Sequence, residues 1–166
     1  MLISAYYLLK DGKMQKTIDE ADRRILRELQ SDSSRPVTEL AEAVGLSHAP
    51  CWRRIQRLRG DGLIKREKAV LDHAKLGWEL EVFVFLKISA QGRARIHEFR
   101  REIVAHERVV DAYILLGSVD MMLHVVARNM VDYQRFYLDH LSGLTDLADV
   151  NSMTVMATLK EGELPV

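Results

Sequence analysis

The stretch Leu40-Ala41-Glu42-Ala43-Val44-Gly45-Leu46-Ser47-His48-Ala49-Pro50-Cys51-Trp52-Arg53-Arg54-Ile55-Gln56-Arg57-Leu58 decides the reading of this chain. Val37-Thr38-Glu39 starts a short helix whose buried side is Leu40, Ala41 and Val44, and Gly45 supplies the left-handed stop. Ser47 caps the next helix, with Pro50 tolerated in its first turn; it runs to about Asp61 and Gly62 ends it. The small Ala41 lets the two helices approach. At about 100° per residue, Cys51, Ile55 and Leu58 fall within about 60° of each other and form the buried stripe. Arg53 and Arg57 lie roughly opposite, with Ala49 and Gly60. His48 sits exposed in the first turn and Trp52 on the flank. Arg54 and Arg59 flank the stripe, within reach of phosphates or of local carboxylates.

Upstream, Thr17-Ile18-Asp19-Glu20 fits a capping box. Ile25, Leu26 and Leu29 continue an apolar stripe begun by Ile18, so a helix is expected from about Glu20 to Gln30. Ser31 to Pro36 is a polar turn. Downstream, Gly62 to Leu71 reads as a short strand pair, a wing carrying Lys65, Arg66 and Lys68. Helix, glycine turn, helix and wing make a winged helix-turn-helix.

The net charge of zero hides an uneven distribution. Residues 1–16 and 17–70 each carry +2, and 71–166 carry −4. Ser47–Lys68 alone holds seven bases and two acids, a net +5. A solvated helix face leaves the same pattern, as would a helical hairpin with no role on DNA. The cluster lies on a helix that follows a sharp turn, which favours a nucleic-acid reader. The expected DNA contacts are Ser47, His48, Ala49, Trp52, Arg53, Arg54 and Arg57 on the helix, with Lys65, Arg66 and Lys68 on the wing. Arginine suits guanine edges, and the other cations set register on phosphates.

Asp72 to Gly77 reads as linker, placing domain limits at 17–71, 72–79 and 80–166. Strand Leu80–Ile88, helix Arg93–Ala105, strands Val109–Leu116 and Met121–Ala127, helix Met130–Leu141 capped by Asn129, and strand Val150–Leu159 follow. Ile96, Phe99, Ile103 and Val104 are expected to face the core. The order βαββαβ is ferredoxin-like, with helices on one sheet face only. The other face, rich in Val, Phe, Leu and Met, is expected to be covered by a second copy. The fold class is therefore α+β, a winged helix-turn-helix followed by a ferredoxin-like domain.

These residues carry a resemblance. Ile18-Asp19, Asp22-Arg23-Arg24-Ile25-Leu26, Leu40-Ala41, Val44-Gly45-Leu46-Ser47, Pro50-Cys51-Trp52-Arg53-Arg54-Ile55 and Gly62-Leu63-Ile64 resemble the DNA-binding domain of the leucine-responsive/asparagine-responsive (Lrp/AsnC) regulators. Gly117–Asp120, Val150–Val155 and the ending from Lys160 resemble that family's turn, last strand and tail. The likeness covers about 17–166. It implies a bacterial or archaeal transcription regulator that binds double-stranded DNA. It also implies homodimers paired through the C-terminal sheet, often gathered into octamers, and a small effector, commonly an amino acid, held between dimers. By the same resemblance Gly117, Ser118, Val119 and Asp120 form part of the effector pocket, faced by Asn151, Ser152 and Thr154 of a neighbouring subunit. Asp120 would accept an ammonium, and the turn backbone, Ser118, Asn151 and Thr154 would donate to a carboxylate. The competing reading has Asp120 capping its own turn. The family often has an acidic residue and an aromatic where this chain has Ser118 and Val119.

Two alternatives come from other classes. One is an effector-independent architectural DNA-binding protein. The other is an enzyme: sirohaem decarboxylases resemble the same layout, but their Tyr-x-Arg-x-His type motif is replaced here by Tyr113-Ile114-Leu115-Leu116-Gly117. With His124 and His140 isolated, and no paired carboxylates, phosphate loop or zinc spacing, catalysis and a cofactor are not expected. Cys51, the single cysteine, is expected to be a core residue, compatible with a reducing, cytoplasmic setting. No apolar run approaches the roughly 20 residues that span a bilayer. Residues 1–16 are read as an extension; Met14 offers a second start, and a short added strand is the rival for Met1–Lys13.

Overall fold

The computed structural model describes residues 18–94, 96–160 and 162–166. The expectations for Thr17 and for the N-terminal extension fall outside them. The chain divides into two compact units. One ends at Ala69 and takes in the C-terminal tail; the other is Val70–Lys160.

The first unit holds α1 (Glu20–Ser31), α2 (Val37–Ala43) and α3 (His48–Gly60). Its core is Ile25, Leu26, Leu40, Ala41, Val44, Cys51, Ile55 and Leu58. The expected stripe on α3 is buried as a set. Gly45 has φ 71° and Gly62 φ 77°, so each sits where a side chain would be strained, just past a helix end. The capping box of α1 forms two residues later than Thr17–Glu20: Asp19 accepts from the Asp22 amide, and the Asp22 carboxylate accepts from the Asp19 amide. Carboxylates serve here in both the hydroxyl and the glutamate positions.

Gly62–Leu71 does not pair as strands. After Leu63 and Ile64 bond back to the Leu58 carbonyl, residues 65–71 run without a ladder, all exposed. Lys65-Arg66-Glu67-Lys68 leaves no apolar alternation to hold a hairpin against the core. The tail returns to this unit instead of staying with the sheet. Gln30 exchanges two bonds with the Leu164 backbone, at 2.9 and 3.1 Å, and Arg27 Nε donates to the Val166 carbonyl at 3.1 Å. Val166 packs against the first unit's core.

The second unit is β1 (Leu80–Ile88), α4 (Ile96–Val104), β2 (Val109–Ile114), β3 (Met121–Ala127), α5 (Met130–His140) and β4 (Leu147–Thr154). The sheet order is β2-β3-β1-β4, antiparallel throughout. This is the ferredoxin-like order expected. Val82, Val84, Leu86 and Ile88 alternate into a core with Phe99, Ile103, Leu123, Val125, Tyr133, Phe136 and Leu141. On the opposite face, Phe83 lies across from His124 and Met153, and Phe85 across from Met122 and Asn151. Several boundaries differ from expectation, and β2 ends at Ile114 rather than Leu116. A 3-10 turn, Gly92–Ala94, precedes α4, and Val104 on its last turn is 52% exposed rather than in the core. β4 begins at Leu147 and ends at Thr154 because the chain beyond Val155 leaves the sheet, with Met156 and Leu159 exposed.

Candidate nucleic-acid interface

α3 presents one apolar side to its unit and one polar side to solvent. Ser47 is its N-cap residue but its hydroxyl makes no cap bond, so the first-turn amides have no side-chain partner. His48, Ala49, Trp52, Arg53 and Arg57 are exposed, and Arg54 is half-buried. Lys65, Arg66 and Lys68 are exposed on the segment that follows.

The arginines sort by partner. Arg54 Nη1 donates to Asp19 at 2.7 Å and to Asp22 Oδ1 at 2.8 Å. Arg57 Nη2 donates to Asp22 Oδ2. Arg59 pairs with Glu67 at 2.6 Å. Arg53 has no ion pair among the described residues. Arg53 and Arg57, expected together on the outward face, are both exposed, but Arg57 also bonds Asp22 of α1 whereas Arg53 has no such partner among the described residues. Arg54 takes the carboxylate alternative rather than standing free for phosphate.

Asp22 is the residue that sequence reasoning missed. It is fully buried, and its two oxygens accept from the Asp19 amide, Arg54 and Arg57. Burial raises the carboxyl; the bonds from Arg57, Arg54 and the Asp19 amide outweigh it and hold the group below the ordinary carboxylate value. One side chain thus closes the capping box of α1 and clamps α3 against α1. A signal was present: Asp22 stands three and four residues before Ile25 and Leu26, on the apolar stripe, where an acid needs a cation. Burial pushes the Cys51 thiol up, which suits a core residue.

In the second unit the turn Gly117–Asp120 joins β2 to β3. Asp120 Oδ2 accepts from the Ile88 amide at 2.9 Å and lies 3.5 Å from Lys87 Nζ. It thereby ties down β1 where the β1–β4 register shifts. Oδ1 has no hydrogen bond among the described residues. Asn151 pairs with Phe85, Ser152 with Val84 and Thr154 with Val82, so the three run along β4 away from the turn. Ser152 Oγ lies 2.5 Å from the Tyr133 hydroxyl. Within one chain the turn and Thr154 sit toward opposite ends of β1. His124 and His140 are not isolated. His124 lies 3.3 Å from Glu81 and 3.6 Å from Asp111, and His140 packs against His106. A groove of about 380 Å³ between α4 and α5 is lined by Phe99, Glu102, Ile103, His106, Asp139 and His140, apart from the expected effector residues. Among the described residues no cluster of His, Cys, Asp and Glu suits a metal ion, and no helix is long and apolar enough to cross a membrane.

Comparison with known proteins adds to this geometry. Residues 18–59 match the AsnC-type helix-turn-helix domain, and residues 81–165 the Lrp/AsnC ligand binding domain. The chain is 36% identical to the transcriptional regulator AzlB of Bacillus subtilis over 86% of its length and 91% of that protein. It is similar to the crystal structure of an AsnC family transcriptional regulator from Agrobacterium tumefaciens, with 38% identity, TM-score 0.82, and coverage of 89% and 97% of the two chains. It is also similar to a transcriptional regulator of Neisseria meningitidis in complex with L-Met, with 28% identity, TM-score 0.81, and coverage of 90% and 97%.

Proposed function

The chain belongs to the Lrp/AsnC family of DNA-binding transcriptional regulators, and from that premise we propose that α3 is its recognition helix and that its affinity for DNA answers to an amino acid. The observation that carries the first part is Arg53. It is exposed and, among the described residues, unpaired on the side of α3 opposite the buried stripe, while neighbouring arginines are held by carboxylates. Recognition helices read base edges from the major groove. Ser47, His48, Ala49 and Trp52 line the entry to that face, and Lys65, Arg66 and Lys68 approach the phosphate backbone.

The partner of the second unit is another copy of the chain. The open face of the sheet carries Phe83, Phe85, Met122 and Met153, an apolar surface suited to self-pairing into a homodimer. Octamers would follow from pairing of dimers. The turn Gly117, Ser118, Val119 and Asp120 of one chain and Asn151, Ser152 and Thr154 of a neighbour form the effector pocket. The relative solved with L-Met supports this class of ligand. Asp120 Oδ1 is left to accept an ammonium, while Oδ2 stays on Ile88. The effector would act by changing which half-sites one assembly spans, so that affinity changes through multivalency.

The test is recovery of bound genomic fragments by the purified protein, followed by titration of the recovered operator. Arg53→Ala is expected to weaken specific binding by ~1–3 kcal/mol. Binding is also expected to fall steeply with salt as Lys and Arg displace counterions. Unchanged affinity in the variant removes α3 as the reader, and a flat salt response removes the phosphate contacts.

A further inference from the structure

The polar side chains of α3 fall into two groups. Arg54, Arg57 and Arg59 are engaged by Asp19, Asp22 and Glu67. His48, Arg53 and Gln56 are exposed and make no hydrogen bond among the described residues. On a helix turning about 100° per residue, Arg53 and Gln56 are about 60° apart and straddle the direction opposite Cys51, Ile55 and Leu58. Ala49 lies between them, one and two turns nearer the N-terminus. The outermost stripe of α3 is therefore Ala49, Arg53 and Gln56, a methyl, a guanidinium and a primary amide. Each suits a different base edge in the major groove: the methyl packs on thymine, the guanidinium forks onto guanine O6 and N7, and the amide pairs with adenine N6 and N7.

We propose that Gln56 is a specificity-determining residue that reads an adenine edge beside Arg53, and that Arg54 and Arg57 are positioning residues that set the angle of α3 through Asp22. This rests on the reading of α3 as the recognition helix and names the part that chooses sequence. Arg57 on Asp22 cannot fork onto guanine without abandoning a buried carboxylate. Gln56 gives up nothing but water.

The experiment is selection of duplexes from a randomised pool by the full-length chain and by Gln56→Ala, Arg53→Ala and Arg57→Ala, with melting temperature measured for each. Gln56→Ala is expected to keep its melting temperature and its salt dependence. Its preference for A·T is expected to drop about tenfold at one position of each half-site. Arg57→Ala is expected to lower the melting temperature and to weaken binding evenly across positions, and Asp22→Asn to reproduce that pattern. If Arg53→Ala relaxes a position and Gln56→Ala leaves the profile intact, Gln56 is not a reader although the recognition helix stands. If neither variant changes the profile, α3 is not the recognition helix and both assignments fall. Loss of one base preference in Arg57→Ala at unchanged melting temperature would make it a reader and overturn its positioning role.

Discussion

Asp22 does two jobs with one carboxylate, and its surroundings make both measurable. Replacing it with asparagine keeps the shape, removes the charge, and leaves Arg57 without its counter-ion and Arg54 with Asp19 alone. Removing one partner of a buried pair costs about 3–5 kcal/mol, and both arginines here are partly hydrated. Asp22→Asn is thus expected to destabilise the first unit by about 2–3 kcal/mol in urea melts. A loss under 0.5 kcal/mol would mean that the clamp is idle. Its depressed carboxyl also sets a pH dependence. Because the folded value lies below the unfolded one, the stabilisation is whole above the ordinary carboxylate value of 3.8 and is lost as pH falls through the folded value. His106 in the second unit sets a different window. Burial first, then the neighbouring His140 and Arg108, lower its pKa from 6.5. The neutral ring is the one the fold favours, so its contribution is present above pH 6.5 and declines as pH falls below it. Acid is expected to weaken the second unit first and the first unit only near the carboxylate range. Amide exchange followed by residue against pH checks the order, and simultaneous loss in both units would contradict it.

At the scale of elements, local chemistry was legible and long-range pairing was not. The stripe Cys51, Ile55 and Leu58, the positive φ of Gly45 and Gly62, and the strand alternation of Val82, Val84, Leu86 and Ile88 all follow from neighbours a few residues apart. The wing failed as a reading because turn residues and β-formers suggest strands, while only a partner supplies the ladder. Among the described residues, Lys65 to Leu71 have none. The site was legible in the same proportion. Arg53 could be placed from helix geometry alone, whereas the diversion of Arg57 depends on an acid 35 positions earlier in the chain. Gln56 escaped notice because an amide adds nothing to a charge count. Asp120 shows both halves of the problem: the turn was visible, but its bond to Ile88 crosses from one strand end to another.

For the whole molecule, net neutrality is a sum over two units with different work. Residues 70–160, in the part proposed to meet effector and sister chains, carry −2, and the +5 of Ser47–Lys68 falls in the part that meets DNA. Ligand that binds only the folded, assembled state raises its melting temperature. A screen of the twenty amino acids at millimolar concentration is expected to show an upward shift for one chemical class, and Asp120→Asn is expected to abolish it. No shift with any of them would make this an effector-independent regulator. The tail adds a consequence of a different kind. Because Gln30 grips Leu164 and Arg27 holds Val166, the helical unit is assembled from two stretches of sequence with the whole sheet unit threaded between them. Gln30→Ala is expected to speed amide exchange in α1 while leaving β1 unchanged, and equal exchange in both proteins would show the grip to be inert. A purification tag or fluorescent partner joined after Val166 would hang beside α1, where it could loosen the hold of Arg27 and Gln30 on the tail.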